Sequence, residues 1–453
     1  MFSYIKNRKE LVAHGHGRLR EAALNITDYA LHAVDPYLAT KQIVGLRGNI
    51  LSIGSLRFNL SQRGNVYVLG AGKASLPIAV ALNEILGGRI HLGLVIVKSR
   101  QDKVLQHIEL REASHPVPDG AGLSAAEEMM RLAKSTREGD IAICAITGGS
   151  SALMPLPVSS VSLQDKQKIN ELLLSCGANI REINAVRKHL SDIKGGRLAL
   201  SLFPAEVVNL TVSDVTGDPL DYITDPTVPD TSTFSDAIAV LDKYALWDDF
   251  PESAGQYLRN ASPEMETPKD FGRYTDLLHT FILANGESVC KSAIDRAQEL
   301  GFTSLVLTTS LEGESKEEGA AMARLACQAK STGIPLSSPC AFIAGGETIV
   351  TIVGNSGRGG PNQEFALSAA LQLDGHDGIV IAALDTDGSD GPTDIAGGIV
   401  DGYTISSARK AGLEPIDFLS KHDTSGFLLA QGDAIITGPT GTNVNDLKLV
   451  LVD

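Results

Sequence analysis

The chain has 453 residues and a net charge of −15, with 43% hydrophobic and 21% charged residues. That length suits two or three domains, and the composition is that of a folded chain with a sizeable core, far from the polar, highly charged profile of disorder. The acidic balance disfavours a nucleic-acid partner, because affinity for a phosphate backbone rests on Lys and Arg, while 45 glycines and only 5% aromatics point to an α/β enzyme rather than to aromatic stacking platforms. An anionic small molecule stays open, since one local basic pocket can override the global sign. The five cysteines, Cys144, Cys176, Cys290, Cys327 and Cys340, are odd in number and contain no C-x-x-C pair, which indicates neither a disulfide framework nor a zinc site. Residues 1–20 are basic without a continuous apolar run, and no apolar stretch of about 18 residues occurs, so a cytoplasmic protein with no membrane partner is expected.

Short β-branched runs at 66–69, 92–97, 141–146 and 207–212 predict buried strands, with helical periodicity between them at 74–86 and 124–133. Alternation of this kind implies a parallel sheet with right-handed crossovers. From Thr231 to about Tyr274 the pattern loosens around the single Trp and Pro251, Pro263 and Pro268, which predicts an interdomain connection. A second α/β series follows, with strands expected at 280–283, 304–308, 341–344, 349–353, 378–384, 434–437 and 447–452. The implied division is a first domain over 1–240, a linker over 241–275 and a second domain over 276–453.

The first chemical motif is Val68-Leu69-Gly70-Ala71-Gly72-Lys73-Ala74-Ser75, a strand running into a glycine turn and a helix. Gly70 and Gly72 would let backbone N–H groups approach an anion at a helix N-terminus. The next strand ends at Lys98, where a nicotinamide dinucleotide site wants Asp or Glu, and the turn lacks the spacer and hydroxyl of a Walker A loop. A second glycine turn, Thr147-Gly148-Gly149-Ser150-Ser151, again follows an apolar run and could form an anion-binding nest. The stretch Asn184 to Arg197 concentrates Arg187, Lys188, His189, Lys194 and Arg197 in an acidic chain, as a local anion funnel or as a solvated helix face. Ser213 to Pro219 sets Asp214 just past a strand, where a carboxylate can hold Mg²⁺, accept a hydroxyl proton or simply make a turn.

In the second half, Gly345-Gly346-Glu347-Thr348 follows a strand, and Gly357-Arg358-Gly359-Gly360-Pro361-Asn362-Gln363-Glu364 precedes a helix as a plausible phosphate clamp. Asp385, Asp387, Asp390 and Asp394 fall within ten residues, a spacing that excludes an EF-hand and suits either a Mg²⁺-phosphate site or a solvated loop. Thr437-Gly438-Pro439-Thr440-Gly441-Thr442-Asn443 offers hydroxyls and amides to a phosphate.

Taken in order, Gly70 to Ala74, Ser114-His115-Pro116-Val117-Pro118-Asp119, Val186 to Gly196, Gly345 to Thr348, Thr386 to Asp394 and Thr437 to Val444 resemble the glycerate 2-kinases whose C-terminal half is called the MOFRL domain. The resemblance runs from about Arg8 to Leu451 and is weakest between Thr231 and Tyr274. It implies an N-terminal Rossmann-like α/β domain, a C-terminal MOFRL-type α/β domain and an active site in the cleft between them. It further implies ATP and Mg²⁺ as cofactors and phosphorylation of the 2-hydroxyl of D-glycerate or a similar small hydroxy acid. On that reading Lys73, Asp214 and Arg358 are catalytic, and Ser150, Ser151, Arg187, Lys188 and Lys194 bind the acid. Gly70, Gly72, Glu347, Asn362, Thr440, Thr442 and Asn443 then bind nucleotide, and Asp385, Asp387 and Asp390 hold the metal. Two departures stand out. Pro361 occupies a place where the family usually has Arg, with Arg358 three residues earlier, and Ile223-Thr224-Asp225-Pro226-Thr227 is one residue shorter than the usual segment and adds a carboxylate. A hydroxypyruvate or tartronate-semialdehyde reductase is the runner-up, a label sometimes attached to this family, and a non-catalytic nucleotide or metabolite sensor is the third reading. A homodimer stays open.

Overall fold

The computed structural model describes residues 3–215, 217–354 and 356–453. Thr216, inside the acidic Ser213 to Pro219 segment, lies outside them. The chain divides into two compact units, one from Pro36 to Leu283 and the other combining the N-terminal residues up to Asp35 with Ala284–Asp453.

The Pro36–Leu283 unit begins with a small antiparallel sheet, β1 (Val44–Arg47), β2 (Ile50–Ile53) and β3 (Leu56–Asn59). The main sheet follows: β4 (Val66–Ala71), β5 (Ile90–Val97), β6 (Glu109–Glu112), β7 (Ile141–Ile146), β8 (Glu206–Val212) and β9 (Leu278–Ala284). Its order is β6-β5-β4-β7-β8-β9, and every pairing from β6 to β8 is parallel. β4 and β7 are buried throughout and read as unbroken apolar runs because both faces are covered. Val66 and Val68 point into a core with the Ser75–Leu86 helix, while Tyr67, Leu69 and Ala71 point the other way, toward the Gly120–Ala133 helix. The chain runs outward from β4 to β5 and β6 and then returns to the other side as β7. The order therefore reverses between β4 and β7, where open α/β sheets leave a crevice at the strand ends.

The expected linker over 241–275 is not a connection. The Phe234–Lys243 and Glu252–Arg259 helices, with Phe250 between them, pack Phe234, Leu241 and Leu258 against Ile169, Leu173, Ile183 and Val186 in a helical core of the same unit. Pro251 immediately precedes the Glu252–Arg259 helix, and Pro263 opens the short 3-10 turn Pro263–Met265, positions that tolerate a missing N–H. The strand expected at 280–283 also belongs here, as the half-buried β9 at the sheet edge, and does not open the second series.

In the other unit β10 (Thr303–Leu311), β11 (Cys340–Gly346), β12 (Ile379–Asp385), β13 (Gly397–Asp401), β14 (Ala434–Ile435) and β15 (Asp446–Val452) form a mixed sheet ordered β10-β11-β15-β12-β13-β14. β10 and β11 are parallel, and β15 runs antiparallel to both β11 and β12. The Ser315–Thr332 and Pro361–Leu373 helices cover it with Ala326, Ala329, Phe365 and Ala369. Residues up to Asp35 join this unit because Arg20, fully buried on the Gly17–Ala33 helix, pairs with Asp401 and Asp433, each at 2.6 Å. The expected strand at 349–353 is instead an irregular segment with Ile349, Ile352 and Val353 exposed.

Candidate functional site

At the crevice between β4 and β7 the two glycine turns interlock. The chain leaves β4 through Gly72 at φ +137°, where a Cβ would fall 2.1 Å from Thr147 Oγ1, so no side chain fits. Lys73 N–H donates to Gly148 O at 2.8 Å, and Ala74 N–H donates to Thr147 Oγ1 at 3.1 Å. A Cβ on Gly149 would sit 3.3 Å from Lys73 Cγ and 3.2 Å from His115 Nε2, so both side chains lie across that glycine. A Cβ on Gly148 would fall 2.1 Å from Asp214 Oδ2, which sets the carboxylate that follows β8 directly on the turn. Three strand ends thus bring Lys73, Asp214 and the Ser150-Ser151 turn together. Gly70, expected to touch nucleotide, lies inside β4 instead, where its missing side chain lets Ala145 of β7 approach.

Beside these turns a pocket of about 460 Å³ is lined by His115, Gly149, Ser151, Arg187, Lys194 and Asp214, among others. The Ile180–His189 helix starts with a capping box between Asn179 and Glu182 and carries Arg187, whose Nε donates to Asn170 Oδ1 at 2.8 Å. Lys194 Nζ donates to Ser151 Oγ at 2.5 Å and lies 3.3 Å from Asp225 Oδ1. Asp225 is the added carboxylate of the shortened segment, so that departure supplies Lys194 with its counter-charge. Burial pushes the Lys194 ammonium and the Arg187 guanidinium below their usual ranges, and Asp225 partly offsets the shift in each. Lys188, one residue from Arg187, is turned away from this pocket. Its Nζ contacts Asp230 at 3.0 Å and Asp221 at 3.4 Å inside the protein, so it is an internal ion-pair partner rather than a ligand for the acid.

Sequence reasoning missed Lys166, which lines the same pocket. It projects from the Leu163–Ser175 helix on the buried stripe shared with Ile169 and Leu173. A lysine at an apolar position of a helical period was the available signal. Burial, reinforced by the charges of Lys194 and Arg187, lowers its ammonium to about 7.

In the Ala284–Asp453 unit, Gly346 at the end of β11 and Asp385 at the end of β12 both stand opposite Asp446 at the start of β15. The Gly345 to Thr348 and Thr440 to Asn443 loops, with Glu347 and Asn443, therefore emerge at the same end of the sheet as the acidic loop. Asp385 Oδ1 accepts from Asp387 N–H at 2.9 Å, and its carboxyl is held well above the usual range by burial and by the charges of Asp387 and Asp446. Asp390 is spoken for: it accepts the N–H and side-chain amide of Asn362 and of Gln363, all within 3.0 Å, and so caps the Pro361–Leu373 helix. Pro361 sits in that helix's first turn, as a residue without an N–H can. Asn362 bridges Asp390 and Asp446, and Asp446 pairs with the buried Lys448, two residues that sequence reasoning did not single out.

The described residues contain no group of three His, Cys, Asp or Glu side chains able to hold a metal ion, so Asp385, Asp387 and Asp390 are not a three-carboxylate cage. The Thr442 hydroxyl donates to Val34 O in the interior and is unavailable to a phosphate, while the Thr440 hydroxyl donates to Thr386 O. Arg358 is exposed and lies 3.3 Å from the exposed Asp394.

Residues 22–259 match the family model described as domain of unknown function (DUF4147), and residues 340–446 match the MOFRL family. The "D-glycerate 2-kinase" of Thermotoga maritima is 40% identical, with 96% of this chain and 98% of that protein covered. This chain belongs to the MOFRL class of glycerate 2-kinases. The crystal structure titled glycerate kinase from Thermotoga maritima superposes with a TM-score of 0.85 at 39% identity, covering 96% of this chain and all of that one. The family also carries a second label: a "Putative hydroxypyruvate reductase" of Agrobacterium vitis is 38% identical, covering 96% of this chain and 94% of its own.

Proposed function

We propose that this member of the family is a glycerate 2-kinase, transferring the γ-phosphoryl group of ATP to the 2-hydroxyl of D-glycerate to give 2-phosphoglycerate and ADP. The observation that carries the reading is a cationic pocket, with Arg187 and Lys194 around Ser151, beside Lys73 and Asp214 at the crevice of the parallel sheet of an acidic chain. Phosphoryl transfer asks the protein chiefly for positioning and charge neutralisation. Arg187 and Lys194 hold the acid's carboxylate, with Ser151 fixed by Lys194. Asp214 accepts the proton of the 2-hydroxyl as its oxygen bonds to the γ-phosphorus and the bond to the ADP oxygen breaks. Lys73 neutralises charge on the transferring group.

ATP is held by the loops at the β11, β12 and β15 end of the other sheet, through Glu347, Asn443, the Thr440 loop and Arg358. The donor set there fits a divalent cation: Asp385 and Asp387 crowd carboxylates, and the buried Asn362 Oδ1 has no hydrogen-bond partner. Asp385 and Asp387 would hold Mg²⁺, which would supply charge neutralisation to the triphosphate. A cytoplasmic setting belongs to the same reading, and a homodimer is compatible with it. No helix among the described residues is long and apolar enough to cross a membrane.

An enzyme-coupled ADP-release assay tests the reading. ADP should appear only with D-glycerate, or a close 2-hydroxy acid, and Mg²⁺ together. Reduction of hydroxypyruvate by NAD(P)H with no ADP formed would instead establish the reductase.

A further inference from the structure

Lys166 is 5% exposed and lines the pocket, yet no hydrogen bond or ion pair reaches its ammonium among the described residues. Other buried cations of this chain are matched: Arg20 by two aspartates, Lys188 by Asp230 and Asp221, Lys194 by Asp225 and Lys448 by Asp446. A buried ammonium without a partner is costly, and the Leu163–Ser175 helix would be more stable with an apolar residue at that position of its buried stripe. A group kept against that cost, on the wall of a pocket, has a ligand to meet.

We infer that Lys166 is a substrate-binding residue of this kinase that completes, with Arg187 and Lys194, a three-cation subsite for the carboxylate of the 2-hydroxy acid, and that it takes up a proton when the acid binds. The inference rests on the proposed kinase function and deepens it. The groups facing Lys166 are Lys194 and Arg187, which repel its charge, and Asp225, which favours it, while His115, Glu171 and Asp214 line the same pocket. Two cations nearby, with one carboxylate already engaged by Lys194, discourage a third positive charge there. At pH 7 Lys166 is therefore partly neutral, with its ammonium lowered to about 7. An incoming carboxylate supplies the missing negative charge and draws the proton on. Selectivity follows. A neutral polyol such as glycerol lacks the carboxylate, brings no negative charge to Arg187 and Lys166, and is rejected.

Titration calorimetry of the full chain with D-glycerate, repeated at pH 8 in buffers of different ionisation enthalpy, tests this. Wild-type protein should take up a substantial fraction of a proton per acid bound, and its affinity should fall as pH rises from 7 to 9. Lys166→Met should lose roughly tenfold or more in affinity and most of the proton uptake, while its melting temperature rises, because a desolvated amine is replaced by an apolar side chain. A merely structural lysine would give a lower melting temperature and unchanged proton uptake. Lys166→Arg, which keeps the charge but cannot release the proton, should bind without uptake and separates charge from folding. Acid binding by wild-type protein with no proton uptake, and unaltered in Lys166→Met, would overturn the role of Lys166. No acid binding by folded wild-type protein would overturn the kinase reading instead.

Discussion

Lys73 owes its place to two backbone facts: the φ of Gly72, and the donation from its own N–H to Gly148 O. Neither depends on the ammonium, so Lys73→Ala should fold with an unchanged melting temperature and lose roughly a hundredfold or more in kcat, the usual cost of removing one group that stabilises developing charge in a shielded site. Near-normal turnover would reduce Lys73 to a turn residue. Lys188, expected from the sequence to bind the acid, should behave oppositely. Its side chain is 2% exposed and serves Asp230 and Asp221, so Lys188→Ala strands buried carboxylates and should lower stability by about 3 kcal/mol in denaturant unfolding. Unchanged stability would contradict the internal pairing. The run from Arg187 to Lys194 was legible as basic in the sequence, but which of its cations face a ligand depends on helix phase and on Asp225, Asp230 and Asp221, which arrive from elsewhere in the chain.

At the scale of elements, strands and glycine turns were the most legible features, because a buried parallel strand is an unbroken apolar run and the turn after it needs glycine. The region from 231 to 274 was not, since its short helices are held by contacts with residues far off in sequence. One such contact is specific. Glu266 accepts from His189 at 2.6 Å, from Phe234 N–H at 3.0 Å and from Thr267 N–H at 2.8 Å. Partial burial would raise its carboxyl, but these hydrogen bonds prevail and lower it to about 2. Between pH 4.5 and 2 the unfolded chain therefore binds a proton that the folded chain does not. The stability Glu266 contributes is present above about pH 4.5 and is lost as pH falls toward 2. Glu266→Gln should cost about 2 kcal/mol at pH 7 and much less near pH 3, measured by urea unfolding. A pH-independent loss would contradict the charge-based account.

For the whole molecule, two units carry chemistry of opposite sign: a cationic pocket in Pro36–Leu283 and a crowded carboxylate cluster in Ala284–Asp453. The division of the chain was only partly legible, because Arg20 ties the N-terminal residues to Asp401 and Asp433, 381 and 413 positions away, and no local pattern announces such a pairing. If each unit holds its own ligand, the two affinities should be separable. Arg187→Ala should weaken D-glycerate binding with little effect on Mg-ATP, and Asp387→Asn should do the reverse, each read by calorimetry. The opposite pattern would exchange the two assignments.

Phosphorylation of D-glycerate at its 2-hydroxyl is reported directly by the product. ³¹P NMR of the mixture formed from Mg-ATP, D-glycerate and the purified protein should show ADP and the resonance of 2-phosphoglycerate growing together, with no 3-phosphoglycerate. A 3-phosphoglycerate resonance, or ADP and free phosphate with no phosphorylated acid, would contradict the account.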